Sequence, residues 1–134
     1  MKSKTLKIST KKKFEIIDIT LEINEFLDDF SVDEGIVNIF SKHSTSAIVV
    51  NENEEGLLKD FKKLLNDLIL EDNSYLHDKI DNNASSHLKS FFLSSSENIP
   101  VSNGKLNLGF WQSVFFIELD GPRKNREIVL SVIK

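Results

Sequence analysis

His43, His77 and His87 are the only imidazoles in the chain, and without a cysteine any metal would have to be held by nitrogen and oxygen. Three neutral imidazoles with one open position are a common way to build a catalytic zinc centre without thiolates. The spacing alone serves hydrogen-bonded structural histidines equally well. His43 stands near the start of the run Lys42 to Glu55, in which hydroxyls precede an apolar segment and amides and carboxylates follow it. A carboxylate there suits a general base, a partner for a metal-bound imidazole, or a helix cap. The cap accounts for Asn53, Glu54 and Glu55, and leaves Asn51 and Glu52 in need of another role. Ser44, Thr45 and Ser46 adjoin the histidine, but no Gly-x-Ser-x-Gly elbow accompanies them, so a serine hydrolase triad is rejected. Arg123, in the turn Asp120-Gly-Pro-Arg123, offers a guanidinium fork for phosphate or a surface ion pair. Trp111 and Gln112 are equally two-sided: core and structure, or a pocket wall in which Gln112 needs a partner. None of the five glycines forms a phosphate-cradling loop.

The elements that must position these groups follow from periodicity. Alternation over Thr5–Ser9 and Phe14–Ile19, broken by Lys11-Lys12-Lys13, predicts an antiparallel hairpin with a solvated basic turn. Thr20 is placed to cap a helix carrying Ile23, Phe26, Leu27 and Phe30 on one face. Ile36, Val37, Ile39 and Phe40 predict a central strand covered on both sides, ending at His43. A strand over Ser46–Val50 leads to Asn53 as helix cap and to the stripe Leu57, Leu58, Phe61, Leu64, Leu65, Leu68 and Ile69. His77 lies in a polar loop between Glu71 and Asn83, and loops of that length are often functional. A short helix from about Ser85 buries Ala84, Leu88, Phe91 and Phe92, with His87 at the boundary. A long strand from Leu106 to Leu119, a hairpin turn at Asp120–Arg123 and a last strand from Arg126 to Ile133 complete one α+β domain over residues 1–134.

Composition narrows the function classes. The 134 residues are 40% apolar and 28% charged, enough for one ordinary globular core. A formal charge of −4 argues against nucleic acid as a partner, because phosphate neutralisation needs clustered Lys and Arg. The N-terminus lacks an apolar signal segment, and runs such as Ala47–Val50 and Val114–Ile117 are too short to cross a bilayer. A soluble cytoplasmic protein with no membrane partner is expected.

Nine segments taken in order resemble the YjbQ-like family of secondary thiamine-phosphate synthases. They are His43-Ser-Thr-Ser-Ala, Asn51-Glu-Asn-Glu, Tyr75-x-His77-Asp78, Asp81-Asn82, Ser86-His87-Leu88-Lys89, Ile99-Pro-Val101, Gly104-Lys-Leu, Gly109-Phe-Trp111-Gln112 and Asp120-Gly-Pro-Arg123. The resemblance covers nearly the whole chain. It implies a compact, largely antiparallel β-sandwich or barrel-like mixed sheet flanked by about three helices, assembled as a homotrimer with sites near subunit interfaces. It implies a divalent metal, zinc before others, on His43, His77 and His87. It also implies the joining of a pyrimidine diphosphate to a thiazole phosphate as a weak, secondary activity. This chain departs from the family pattern at Phe110, where Thr is common, and at Leu93-Ser-Ser-Ser96, which lacks a glycine often found there.

The expectation is a metal-assisted enzyme acting on a phosphorylated small molecule. Glu52 orients a ligand or moves a proton, Arg123 clamps a phosphate, and Ser46, Asn51, Ser86, Lys89 and Gln112 line the pocket. The alternative is a non-catalytic trimeric module that binds a metal and a phosphate ligand, favoured by the lack of a convincing nucleophile.

Overall fold

The computed structural model describes residues 1–134, in the order β1 (Ser3–Ile8), β2 (Glu15–Asp18), α1 (Thr20–Asp29), β3 (Gly35–Ser41), β4 (Ser46–Glu52), α2 (Glu55–Leu68), a 3-10 turn (Leu76–Lys79), α3 (Ala84–Leu93), β5 (Ser96–Ser102), β6 (Lys105–Leu106), β7 (Gln112–Glu118) and β8 (Arg126–Ile133). The strands form two curled sheets, β1-β8-β3-β5-β6 and β2-β7-β4. Every ladder is antiparallel. This is the expected α+β architecture with three helices. No helix is long and apolar enough to cross a membrane.

The main core lies between the two sheets and α1. Ile23, Phe26 and Leu27 of α1 meet Val37 and Ile39 of the large sheet and Ile48, Val114 and Phe116 of the small one. Period-2 alternation explains the register: in β7, Val114 and Phe116 point into this core, while Phe115 and Ile117 point to the opposite face, toward Leu58 and Phe61 of α2 and Leu93 of α3. That second contact is loose. Of the α2 stripe only Leu65 is buried, Leu64 and Leu68 are exposed, and an apolar groove of about 490 Å³ runs between α2 and the small sheet.

Several expected elements differ. The segments β1 and β2 do not form a hairpin; β1 pairs with β8 and β2 with β7, so the lysine turn carries the chain from one sheet to the other. Asp120–Arg123 is likewise a crossing from β7 to β8, and Lys42–Thr45 is a third, from β3 to β4. A two-residue-period pattern identifies strands but not which sheet receives them. The strand expected over Leu106–Leu119 is interrupted: Gln112 N donates to Gly109 O and Gly109 N donates to Gln112 Oε1, closing a turn that leaves Trp111 67% exposed. Helix caps shift by one residue. Glu54, not Asn53, accepts from the backbone N–H groups of Gly56 and Leu57, and Asn53 donates instead to Asp18 Oδ2. On β3 Val37, Ile39 and Ser41 are covered while Ile36 and Phe40 are exposed, so this strand has one buried face. Phe91 and Phe92, expected inside, are 86% and 74% exposed.

One buried cluster ties the three crossings together. Glu118 at the end of β7 is fully buried, and its carboxylate accepts from Arg126 Nε at 2.9 Å, Arg126 Nη2 at 2.5 Å and Thr10 Oγ1 at 2.7 Å. Arg126 Nη2 also donates to Thr45 Oγ1 at 2.9 Å, and Thr10 Oγ1 accepts from Arg123 N at 2.9 Å. Thr10, Thr45 and the Glu118–Arg126 pair thus bring one residue from each crossing to a single point. Burial pushes the Glu118 carboxyl up, but the hydrogen bonds from Arg126, Thr10 and the Asp120 N–H outweigh it and hold it below its ordinary value. Gly121 is required here, because a Cβ would collide with the Lys12 carbonyl oxygen as the crossings pass each other.

Candidate functional site

His43 sits in the β3–β4 crossing, directly beside this cluster. Its Nε2 accepts from the backbone N–H of Glu127 at 2.8 Å. A nitrogen that accepts in this way carries no proton, so the neutral ring holds its proton on Nδ1. Burial, then the Arg126 guanidinium, lower the His43 pKa below its usual 6.5, against the opposing pull of Glu127 and Glu118. The ring therefore favours the neutral form with Nδ1–H as a donor. Ser46 fixes the turn from below: its hydroxyl lies 2.5 Å from Ser41 Oγ and donates to the His43 carbonyl at 3.0 Å.

The α3 helix supplies the facing wall. Ser90 Oγ donates to Ser46 O and Ser86 Oγ to Leu119 O, each at 2.6 Å, so α3 is pinned to the small sheet by hydroxyls and not by a leucine stripe. This turns His87 into a cleft of about 430 Å³ shared with His43, Ser44, Ser90, Ser94 and Ser95. The cleft is rich in hydroxyls and contains no carboxylate.

His87 also faces the other way, toward His77 in the 3-10 turn. The two rings meet edge to face with centroids 4.8 Å apart. His77 Nε2 is buried without a hydrogen-bond partner, and the nearest carboxylate oxygen, Asp81 Oδ2, is 3.9 Å away. An orphaned imidazole nitrogen beside a second imidazole fits a nitrogen-bound metal. No set of three His, Cys, Asp or Glu side chains in the chain converges on one point, however. His77 and His87 form a pair, and His43 lies across the cleft with its Nε2 already used. For His43 to ligate through Nε2 it must release Glu127.

The remaining expected residues divide into separate places. Ser46 is fully buried under the His43 turn and has a structural role there. Glu52 and Asn51 lie at the far end of β4, paired with Gln112 and Ser113, about 20 Å of extended strand from Ser46. The idea that the strand brings both its ends to one site fails for this geometric reason, and within one chain Glu52, Asn51 and Gln112 do not reach the histidines. Asn51 Oδ1 accepts from Glu52 N, and Gln112 is occupied by Gly109. Arg123 donates through Nε to Asp120 O and through Nη2 to Asp120 Oδ2, and Asn83 donates to that same Oδ2. It thus stands beside the start of α3 with its guanidinium half exposed. Lys89, two residues and about 200° around the helix from His87, points away from the histidine cleft, and Ser86 joins it on that other side.

Sequence reasoning missed the Glu118–Arg126 pair, which looked like ordinary strand ends, and it missed Ser41, Ser90 and Ser94 as cleft residues. Spacing offered one usable signal: Ser86 and Ser90 are one turn apart on the face of α3 where a helix packed on a sheet would carry apolar groups.

Residues 4–134 match the family described as UPF0047 protein YjbQ-like. A UPF0047 protein of Methanothermobacter thermautotrophicus is 50% identical over 127 residues, 95% of this chain and 88% of the relative. The UPF0047 protein YugU of Bacillus subtilis is 36% identical over 121 residues, 90% of this chain and 91% of the relative. Among solved structures, a YbjQ-like protein of unknown function from Sulfolobus solfataricus superposes with a TM-score of 0.94 at 38% identity, covering 97% of this chain and 94% of that one. A hypothetical protein from Aeropyrum pernix gives a TM-score of 0.94 at 31% identity, covering 99% and 98%. With nearly its whole length matched in sequence and in fold, the chain belongs to the YjbQ-like UPF0047 family.

Proposed function

We propose that the protein is an enzyme that acts on a phosphorylated small molecule in the cleft between His43 and His87, with a divalent metal, zinc before others, held by His77 and His87. The observation that carries this reading is the buried, unpartnered Nε2 of His77 beside the His87 ring. Such a metal supplies a Lewis acid for a phosphate oxygen, or a bound water of lowered pKa. The chain's own groups do the rest. Ser44, Ser94 and Ser95 present hydroxyls that donate to phosphate oxygens, and the Lys42 ammonium, half exposed at the rim, adds charge. The Nδ1–H of His43, fixed by the Glu127 N–H on the opposite ring nitrogen, holds a proton for a developing oxyanion. Weak thiamine-phosphate synthase activity is consistent with this donor set, since both of its substrates carry phosphate.

Self-association belongs to the same proposal. Phe91, at the cleft mouth, is exposed together with Phe92, Phe110 and Trp111, and a homotrimer would cover such groups and add donors that one chain lacks.

A non-catalytic module that binds the same metal and phosphate is the second reading, favoured by the absence of a carboxylate from the cleft and the distant position of Glu52. Turnover assays on a panel of phosphorylated metabolites separate the two. The enzyme reading predicts product formation by the wild type that His43→Ala reduces by about 10²-fold or more, the usual scale of a lost proton donor. Phosphate-ester binding without turnover of any compound supports the module.

A further inference from the structure

The face of α3 opposite His87 borders a second, separate cleft. It encloses about 290 Å³ and draws Lys12 and Lys13 from the β1–β2 crossing, Lys62 from α2, and Ser85 and Lys89 from α3. Four lysines meet there against a single carboxylate, Glu71, which is paired with Lys13. The chain as a whole carries a charge of −4, so this concentration of ammonium groups is local.

Lys89 is the unusual member. It is only 7% exposed, and its Nζ donates to Asn66 Oδ1 at 2.8 Å, a neutral partner. A buried ammonium satisfied by one amide is costly unless an anion completes its shell. Burial first, then repulsion from Lys13 and Lys62, lower its pKa, and Glu71 offsets this in part. The attraction of a bound anion would offset both effects. Ser85, in the first turn of α3, lines the same wall.

We propose that this lysine cleft is an anion site for a phosphate group bearing two or more negative charges, a phosphomonoester or a diphosphate, with Lys89 as its inner contact and Lys12, Lys13 and Lys62 around its mouth. A volume of about 290 Å³ suits a single small group. The site stands apart from the histidine cleft and does not depend on a metal there.

Isothermal titration at low salt with inorganic phosphate and with pyrophosphate tests this directly. Pyrophosphate should bind more tightly than phosphate, and affinity should fall as ionic strength rises. Lys89→Met, which keeps the aliphatic stem, should weaken binding by at least about tenfold, the loss of one charged hydrogen bond. Lys62→Ala should weaken it severalfold, and both lysine effects should persist in a His87→Ala background, which removes any contribution of the histidine cleft. Should Lys89→Met fail to fold, Lys12→Ala and Lys62→Ala carry the same expectation. The proposal is overturned by no binding of either anion to the wild type, or by wild-type affinity in the lysine variants. Affinity lost only in His87→Ala also overturns it, and places the phosphate in the histidine cleft.

Discussion

Ser94 ends α3 with φ 76° and ψ 160°, a region that glycine occupies freely and residues with a Cβ adopt only under strain. The family resemblance marked this same segment as lacking an often-present glycine, and the backbone supplies the reason: the turn still needs the glycine conformation although a serine fills it. Its carbonyl accepts from Ile48 N, which locks the strained turn to β4 at the edge of the histidine cleft. Ser94→Gly should therefore stabilise the fold by about 1 kcal/mol, the strain relieved less the added chain entropy of glycine, measured by urea unfolding. Unchanged or reduced stability would mean that the hydroxyl makes a compensating contact. Residue types were the most readable level of this molecule. The histidines were identifiable as unusual from their positions, and two of them do meet. Ser46 and Glu52 were singled out for good chemical reasons and fall elsewhere, because residue chemistry does not encode the direction in which a strand carries its ends.

Elements are held here by buried polar contacts as much as by apolar ones. The Glu118–Arg126 pair joins the β1–β2, β3–β4 and β7–β8 crossings and sets the backbone N–H of Glu127 against His43. Removing one partner leaves the other charge buried without compensation, so Glu118→Gln should cost about 3–5 kcal/mol of stability and shift the His43 ring signals in NMR spectra. The pH dependence has a definite sign. The Glu118 pKa is lower in the folded state than its ordinary 4.5, so the folded protein binds fewer protons and the stabilisation is complete above about pH 4.5. It is lost as pH falls from there through the folded value, and acid unfolding followed by circular dichroism should show a shallower dependence in Glu118→Gln. An equally steep acid transition in that variant would assign the dependence to other carboxylates. Helices and strands were readable from periodicity; their partners were not. A basic turn between two alternating segments reads as a hairpin by local rules, yet β1 and β2 enter different sheets because Glu118, distant in sequence, recruits Thr10 to the crossing.

Across the whole molecule, apolar surface remains where an isolated domain would ordinarily cover it. Ile36 and Phe40 of β3, Leu64 and Leu68 of α2, and Phe91, Phe92, Phe110 and Trp111 are all exposed. Fully burying each such side chain would contribute about 1.5–3 kcal/mol, the driving force that the proposed homotrimer would use. Light scattering after size exclusion should give a mass of three chains, and Phe91→Asp with Phe110→Asp should shift it toward one. A wild-type monomer would contradict this part of the account. The α2 stripe illustrates why sequence misleads at this scale: its period is helical and apolar, but nothing in it distinguishes a face packed on its own sheet from one left for another chain. The histidine pair raises the same question of completeness, since one chain brings two imidazoles together and leaves the third across the cleft. Metal content decides whether His77 and His87 hold an ion, measured by elemental analysis of protein purified without chelator and of His77→Ala and His87→Ala after exposure to zinc. The wild type should carry about one zinc per chain and each variant should lose it with the fold intact; a metal-free wild type that takes up no zinc, or variants that retain it, would show that the histidine pair is not a metal site.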